Sequence, residues 1–242
     1  MFPLGDDNSD RVITPYVNYA FIGLNILVFV LLQGLGGNDA FTYAFSLVPQ
    51  EITSGIDIAG AKTIEVGGQT ATIMHQATPL PVYFNFLSSM FMHGDFMHLF
   101  GNMLFLWIFG DNIENLIGHF RYIVFYIVCG IAAALAQIVM GPDSIIPMLG
   151  ASGAISGVLG GYMLLFPTRK VRALIFQIVT TVPAYVALGL WIGYQILLGY
   201  LTPSGTGGVA YAAHIGGFIA GLALIKVFAI GTKAQDVKPL QG

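Results

Sequence analysis

Residues 150–170 read GASGAISGVLGGYMLLFPTRK, an uncharged run that ends at Pro167 and is followed at once by Arg169 and Lys170. Small residues at helical spacing let helices approach closely, and proline cannot continue a helix. The pattern predicts a helix from Ser152 to Phe166. That length is about 22 Å at 1.5 Å per residue, roughly 8 Å less than a hydrocarbon core of about 30 Å. With Arg169, Lys170 and Arg172 fixing its C-terminal end at one interface, Ser152 lies below the other. The segment Pro142–Ala151 must then dip inward. Irregular backbone at such depth survives only where protein buries it or where it lines a watery cavity.

The surrounding sequence places this short helix in a membrane. Of 242 residues 56% are apolar and 9% charged, against about 25% charged in an ordinary soluble domain. Long uncharged runs recur, and a run of about 18 or more reads as a span. Further helices are predicted at about 14–35, 92–112, 121–140 (closed by Gly141-Pro142), 171–198 (kinked or delayed around Pro183) and 207–230. The start, MFPLGDDNSD, is acidic and has no basic region before a cleavable apolar segment, so the first run is expected to stay as a span. The fold class is therefore an all-α membrane protein, a bundle of six transmembrane helices with a short central fourth. Residues 1–13 form an N-terminal segment, 14–230 one membrane domain, and 231–242 a tail. Residues 37–90 form a long polar loop, in which IEVGGQTATIM (64–74) has the β-branched residues and central Gly-Gly of a short hairpin.

Charge orients the bundle. With the N-terminus inside, Arg11, Arg121, Arg169, Lys170, Arg172, Lys226, Lys233 and Lys238 all fall on the inner side, and Lys62 alone falls outside. Positive-inside bias then predicts both termini inside, and the 37–90, 141–150 and 199–206 loops outside. A net charge of −3 does not suggest a nucleic-acid partner; the lipid bilayer is the expected environment. The lone Cys129 can form no internal disulfide and reads as packing.

Polar groups inside spans are costly and are functional candidates by default. Ser152 opens a helix beside Gly150 and Gly153. These glycines would let a peptide backbone come close, and the unpaired amides of a helix start suit a developing oxyanion. His214, in AYAAHIGGFIAG, precedes Lys226 by 12 residues and Lys233 by 19. These separations bracket the 17 from Ser152 to Arg169, so the two side chains can be level. Gly216, Gly217 and Gly221 permit the close helix contact this needs. A neutral histidine beside a serine is the minimal base-and-nucleophile pair; the bland alternative is a packing histidine. His98 and Asn102 share one helix face at i,i+4, and suit either an oxyanion or ordinary inter-helix hydrogen bonds. A metal site is not expected: His93 and His98 lie about 140° apart on a helix, and HExxH is absent. No cofactor is called for. Asp111 and Glu114 sit on the inner side, so a dyad is expected rather than a Ser-His-Asp triad. His75 and His119 read as surface loop residues.

MHGDFMHLFGNMLF, GASGAISG and AHIGGFIAG, in that order on the second, fourth and sixth helices, together resemble the rhomboid family of intramembrane serine proteases. The resemblance covers about residues 90–225. It implies that Ser152 is the nucleophile and His214 the general base. It further implies that His98, Asn102 and the Ser152 backbone stabilise the oxyanion, with His93 near the water supply. A lateral entrance beside the fifth helix and a helical membrane substrate that unwinds to reach Ser152 are also implied. The chain departs from some relatives at Ser156, where an aromatic would stack on the histidine, at Val209, where a glycine is frequent, and in lacking a Trp-Arg pair in the 37–90 loop.

Three functions compete. A protease cleaving transmembrane proteins leads. A rhomboid-like protein that only binds and escorts helices would be free to lose Ser152 or His214, and both are present. A small transporter would show internal repeats or paired broken helices, and the two halves show none. The compact chain is expected in a bacterial plasma membrane.

Overall fold

A computed structural model describes residues 2–66, 69–175, 177–202 and 208–232. The expected tail beyond residue 232, residues 203–206 of the 199–206 loop and Gly67-Gly68 lie outside the described residues.

The chain begins with strand β1 (Phe2–Asp6) and helix α1 (Tyr16–Leu27), which runs on as a π turn, Val28–Leu32. Glycines 34 and 36, both at positive φ, stop it. The long loop holds α2 (Asp39–Phe45), α3 (Pro49–Ser54), the hairpin β2 (Gly60–Val66) and β3 (Gln69–His75), and α4 (Asn85–Ser88). The bundle continues with α5 (Phe96–Ile117), α6 (His119–Met140) and α7 (Ser152–Leu165). Strands β4 (Lys170–Ile175) and β5 (Ile178–Pro183) precede α8 (Ala184–Leu201) and α9 (Tyr211–Phe228). Among the described residues three helices, α6, α8 and α9, are long and apolar enough to cross a membrane, which makes this a multi-pass integral membrane protein. Two shorter apolar helices, Tyr16–Leu32 and Ser152–Leu165, accompany them.

Local chemistry sets these boundaries. Asp95 caps α5 by accepting the His98 amide at 2.8 Å, so the helix starts at Phe96 rather than near 92, and Gly118, at φ +80°, ends it. Glu114 accepts the amides of Val17 (3.0 Å) and Asn18 (2.7 Å), satisfying donors that Pro15 cannot cap. The same carboxylate meets His119. His119 thus opens α6 as a hydrogen-bond partner of Glu114 rather than an ordinary loop residue, and His75 is buried at 2% exposure rather than at the surface.

The largest correction concerns residues 171–198, expected as one helix. Strands β4 and β5 instead pair with each other, and β4 with β1, in a sheet of order β1-β4-β5, and the helix begins at Ala184, after Pro183. The cause is period. In KVRALI, Val171 and Ala173 are fully buried while Lys170 and Arg172 are exposed, the two-residue alternation of a half-buried strand. The β-branched run IVTTVP then suits its partner strand. The N-terminal segment supplies the third strand, with Phe2 opposite Leu174 and Asp6 opposite Val171. Asp6 accepts from Asn112 near the end of α5, while the Phe2 ring stacks on Phe100, about three turns earlier. The sheet therefore stands alongside α5.

At the centre, α7 is buried from Ala154 through Tyr162 and packs against α5, α6 and α9. Glycine makes the α7–α9 contact possible. A Cβ on Gly221 would fall on the Gly157 carbonyl, one on Gly217 on the Gly153 carbonyl, and one on Gly160 on the Phe218 carbonyl. The two backbones touch, which fixes the register between Ser152 and α9.

Candidate active site

The segment before Ser152 is held by the 37–90 loop. Leu47 and Met148 exchange backbone hydrogen bonds of 2.9 and 2.7 Å, the Gln50 amide donates to the Ser144 carbonyl, and the Gly150 amide donates to the Ser89 carbonyl. Leu47 and Val48 are buried beneath this contact. The 37–90 loop thus meets the irregular backbone of 142–150 at Ser144, Met148 and Gly150.

Gly150 holds φ +131°, and a Cβ there would lie 2.9 Å from the His98 ring and 3.6 Å from Ser152 Oγ. Only glycine fits, and its bareness lets His98 cover the turn into α7. Gly153 faces Ala133, with 2.7 Å from its hypothetical Cβ to the alanine methyl.

Ser152 Oγ and His214 Nε2 are 2.8 Å apart. His214 Nδ1 lies 2.8 Å from Gln195 Oε1. An amide oxygen only accepts, so Nδ1 carries the ring proton and Nε2 accepts from the serine. The Trp191 ring, one turn before Gln195 on α8, packs at 5.9 Å and 36° to His214. Ser156, in the place of the aromatic found in some relatives, instead donates to the Ser152 carbonyl at 2.6 Å. The ring support comes from α8, not from α7.

His98 Nδ1 accepts from the Gly94 amide at 3.4 Å, which leaves its Nε2–H as a donor beside Gly150. Asn102 Nδ2 is 2.8 Å from His93 Nε2, and the His93 and His98 rings meet edge to face at 5.0 Å. His93 is fully buried. Gln33 fixes its backbone twice, donating to the His93 carbonyl and accepting from its amide, each at 2.9 Å. Sequence reasoning passed over Gln33, Trp191 and Gln195. The available signal was a lone amide in an otherwise apolar run, VFVLLQG and WIGYQILL.

Ser152, His214, His98, Asn102 and Gln195 all border one cavity of about 930 Å³, with Trp191 and Phe105 among its apolar walls. A hydroxyl hydrogen-bonded to a neutral imidazole, with N–H donors nearby, can carry out acyl transfer.

A serine and a histidine are thus brought within hydrogen-bond reach of each other inside an apolar helical bundle of a multi-pass membrane protein. Residues 81–230 match the Rhomboid domain family, and the chain belongs to the rhomboid family. It is 30% identical over 217 residues to Rhomboid protein 1, mitochondrial, of Saccharomyces cerevisiae, covering 84% of this chain and 51% of the relative. It is 27% identical over 208 residues to Rhomboid protease GluP of Bacillus subtilis, covering 86% and 34% respectively. The presenilin-associated rhomboid-like protein, mitochondrial, of Mus musculus is 31% identical over 141 residues, 56% of this chain and 36% of that one. The chain spans about half, or less, of the length of these relatives.

Proposed function

We propose that this protein is an intramembrane serine endopeptidase that cleaves transmembrane or membrane-proximal segments of other membrane proteins. The observation that carries the reading is the 2.8 Å contact between Ser152 Oγ and His214 Nε2, within hydrogen-bond reach of general-base catalysis.

In this reading Ser152 Oγ attacks the scissile carbonyl carbon as its proton passes to His214 Nε2. The carbonyl oxygen becomes an oxyanion held by the Ser152 backbone N–H, His98 Nε2–H and Asn102 Nδ2, with His93 orienting Asn102. The C–N bond breaks as His214 returns the proton to the leaving amine. Water, deprotonated by the same Nε2, then hydrolyses the ester and restores the serine. Gly150, Gly153 and Gly217 supply the close packing and the room for a substrate backbone.

The bundle supports six crossings: α1 with its π turn, α5, α6, the short α7, α8 and α9. The concentration of Lys and Arg on one side supports both termini inside, with residues 1–13 and 231–242 flanking one domain over 14–230. The bacterial relative supports a bacterial plasma membrane as its location. Reconstitution into liposomes with a panel of single-span substrates tests the activity. Wild type should cleave, and Ser152→Ala and His214→Ala should not; cleavage retained by Ser152→Ala refutes the assignment.

A further inference from the structure

We propose that Gln195 is the third member of the catalytic assembly, a positioning residue that holds His214 in its reactive tautomer, with Trp191 fixing the ring plane. The inference rests on the serine–histidine reading above and adds a residue type that the motifs do not contain.

An imidazole can act as base toward Ser152 only if Nε2 is bare, and a neutral ring must then carry its proton on Nδ1. Something must accept that proton, because a buried unpaired N–H is costly. Gln195 Oε1, 2.8 Å away, is that acceptor. Gln195 is 8% exposed. It follows Trp191 by one helical turn, so α8 presents ring packing and a hydrogen bond on the same face. Carboxylates fill this role in Ser-His-Asp triads. Here the other groups near His214 are Ser152 on α7, Gln137 beside Ala213 on α6, and His98 on α5, its titratable neighbour. A neutral amide fixes the tautomer without the desolvation cost of a buried charge. As the imidazolium forms, Oε1 keeps its hydrogen bond to Nδ1–H, which strengthens as the ring charges.

Placement on α8 makes the arrangement sensitive to that helix. Its first turn is fixed: the Ala184 amide donates to the Arg169 carbonyl at 2.8 Å and the Tyr185 amide to the Pro167 carbonyl at 3.0 Å. Gln195 sits about 16 Å further along the helix, so a tilt of about 10° at the base moves it about 3 Å. That displacement is enough to free His214 from its acceptor.

The test is the rate of covalent labelling by a fluorophosphonate probe between pH 5 and 9, for wild type, Gln195→Met and Gln195→Glu. Methionine keeps the bulk and removes the acceptor; labelling should fall about 10- to 100-fold, the worth of a hydrogen bond to a charged group. Glutamate restores the acceptor and adds charge. Its rate above neutrality should return to within a few-fold of wild type, and the acidic limb of its profile should move to higher pH, because a carboxylate holds the imidazolium. A packing role alone would leave the methionine variant, which keeps the bulk, near the wild-type rate. A methionine variant within two-fold of wild type, or a glutamate variant with an unshifted limb, overturns the proposal. If the methionine variant loses its thermal transition, the glutamate profile decides alone. Absence of labelling in wild type overturns the serine–histidine reading itself, an outcome distinct from failure at Gln195.

Discussion

Gly150 and Ser152 are two residues apart, and the first shapes the pocket that the second uses. At φ +131°, with the His98 ring 2.9 Å from any added Cβ, alanine at 150 must displace either the ring or the backbone. Gly150→Ala is expected to cost about 1–3 kcal/mol of stability and to lower the labelling rate at least about 10-fold; thermal unfolding and probe labelling separate the two effects. Asn102→Ala should leave KM nearly unchanged and lower kcat about 100-fold, in the range for one lost oxyanion donor, and should cost about 1–3 kcal/mol of stability by stranding His93 Nε2; steady-state cleavage kinetics and thermal unfolding measure the two. At this scale the sequence was informative where residues are unusual for lipid. Ser152, His214, His98 and Asn102 stand out as polar side chains on apolar helices, and glycines mark the close approach. Gln195 and Gln33 were not legible. Each is a single amide whose importance comes from a partner distant in the chain, His214 and His93, and no local pattern records that pairing.

Helix α7 meets α9 backbone to backbone, so bulk at the contact has no side chain to push aside. Gly221→Ala and Gly160→Ala should each lower stability by about 2–3 kcal/mol or more, seen as a fall in the thermal midpoint in detergent. Gly189→Ala, with open space around its position, should fall within about 0.5 kcal/mol of wild type. The short α7 was readable because Pro167 and the basic residues after it fix one end and Ser152 marks the other. The β4–β5 hairpin was not. Hydropathy averages over a window, and VRALIFQIVTTV is apolar enough to pass for a span; only the alternation of Val171 and Ala173 with Lys170 and Arg172 reports a strand. β1 was less legible still, because it is stabilised by pairing with β4 rather than by its own sequence.

Across the whole molecule, the 37–90 loop is fastened over the segment that leads to Ser152, and this fastening carries a titratable group. Burial pushes the Glu51 carboxyl up to about 7, Asp57 adds to the effect, and the Ile58 amide that it accepts at 3.1 Å opposes it. A carboxyl whose folded value lies above its unfolded value of about 4.5 binds more protons when folded. Its contribution is present at acid pH and is lost as pH rises from about 4.5 through about 7. Helix α3, which carries Glu51, also holds Pro142 through Thr53 Oγ1 at 3.0 Å. Amide exchange over 47–58, corrected for intrinsic rates, should therefore be faster at pH 8 than at pH 5, and Glu51→Gln should remove the difference. The membrane character and charge asymmetry were legible from composition, whereas the clamp of the loop on 142–150 depends on Leu47–Met148 pairing across about a hundred residues. The central claim is that Ser152 is an activated nucleophile. Its most direct test is fluorophosphonate labelling of the purified protein, with the adduct located by mass spectrometry. One phosphonyl group on Ser152 in wild type, and none in His214→Ala, is the predicted result. A folded wild type without an adduct, or an equal yield in His214→Ala, would contradict it.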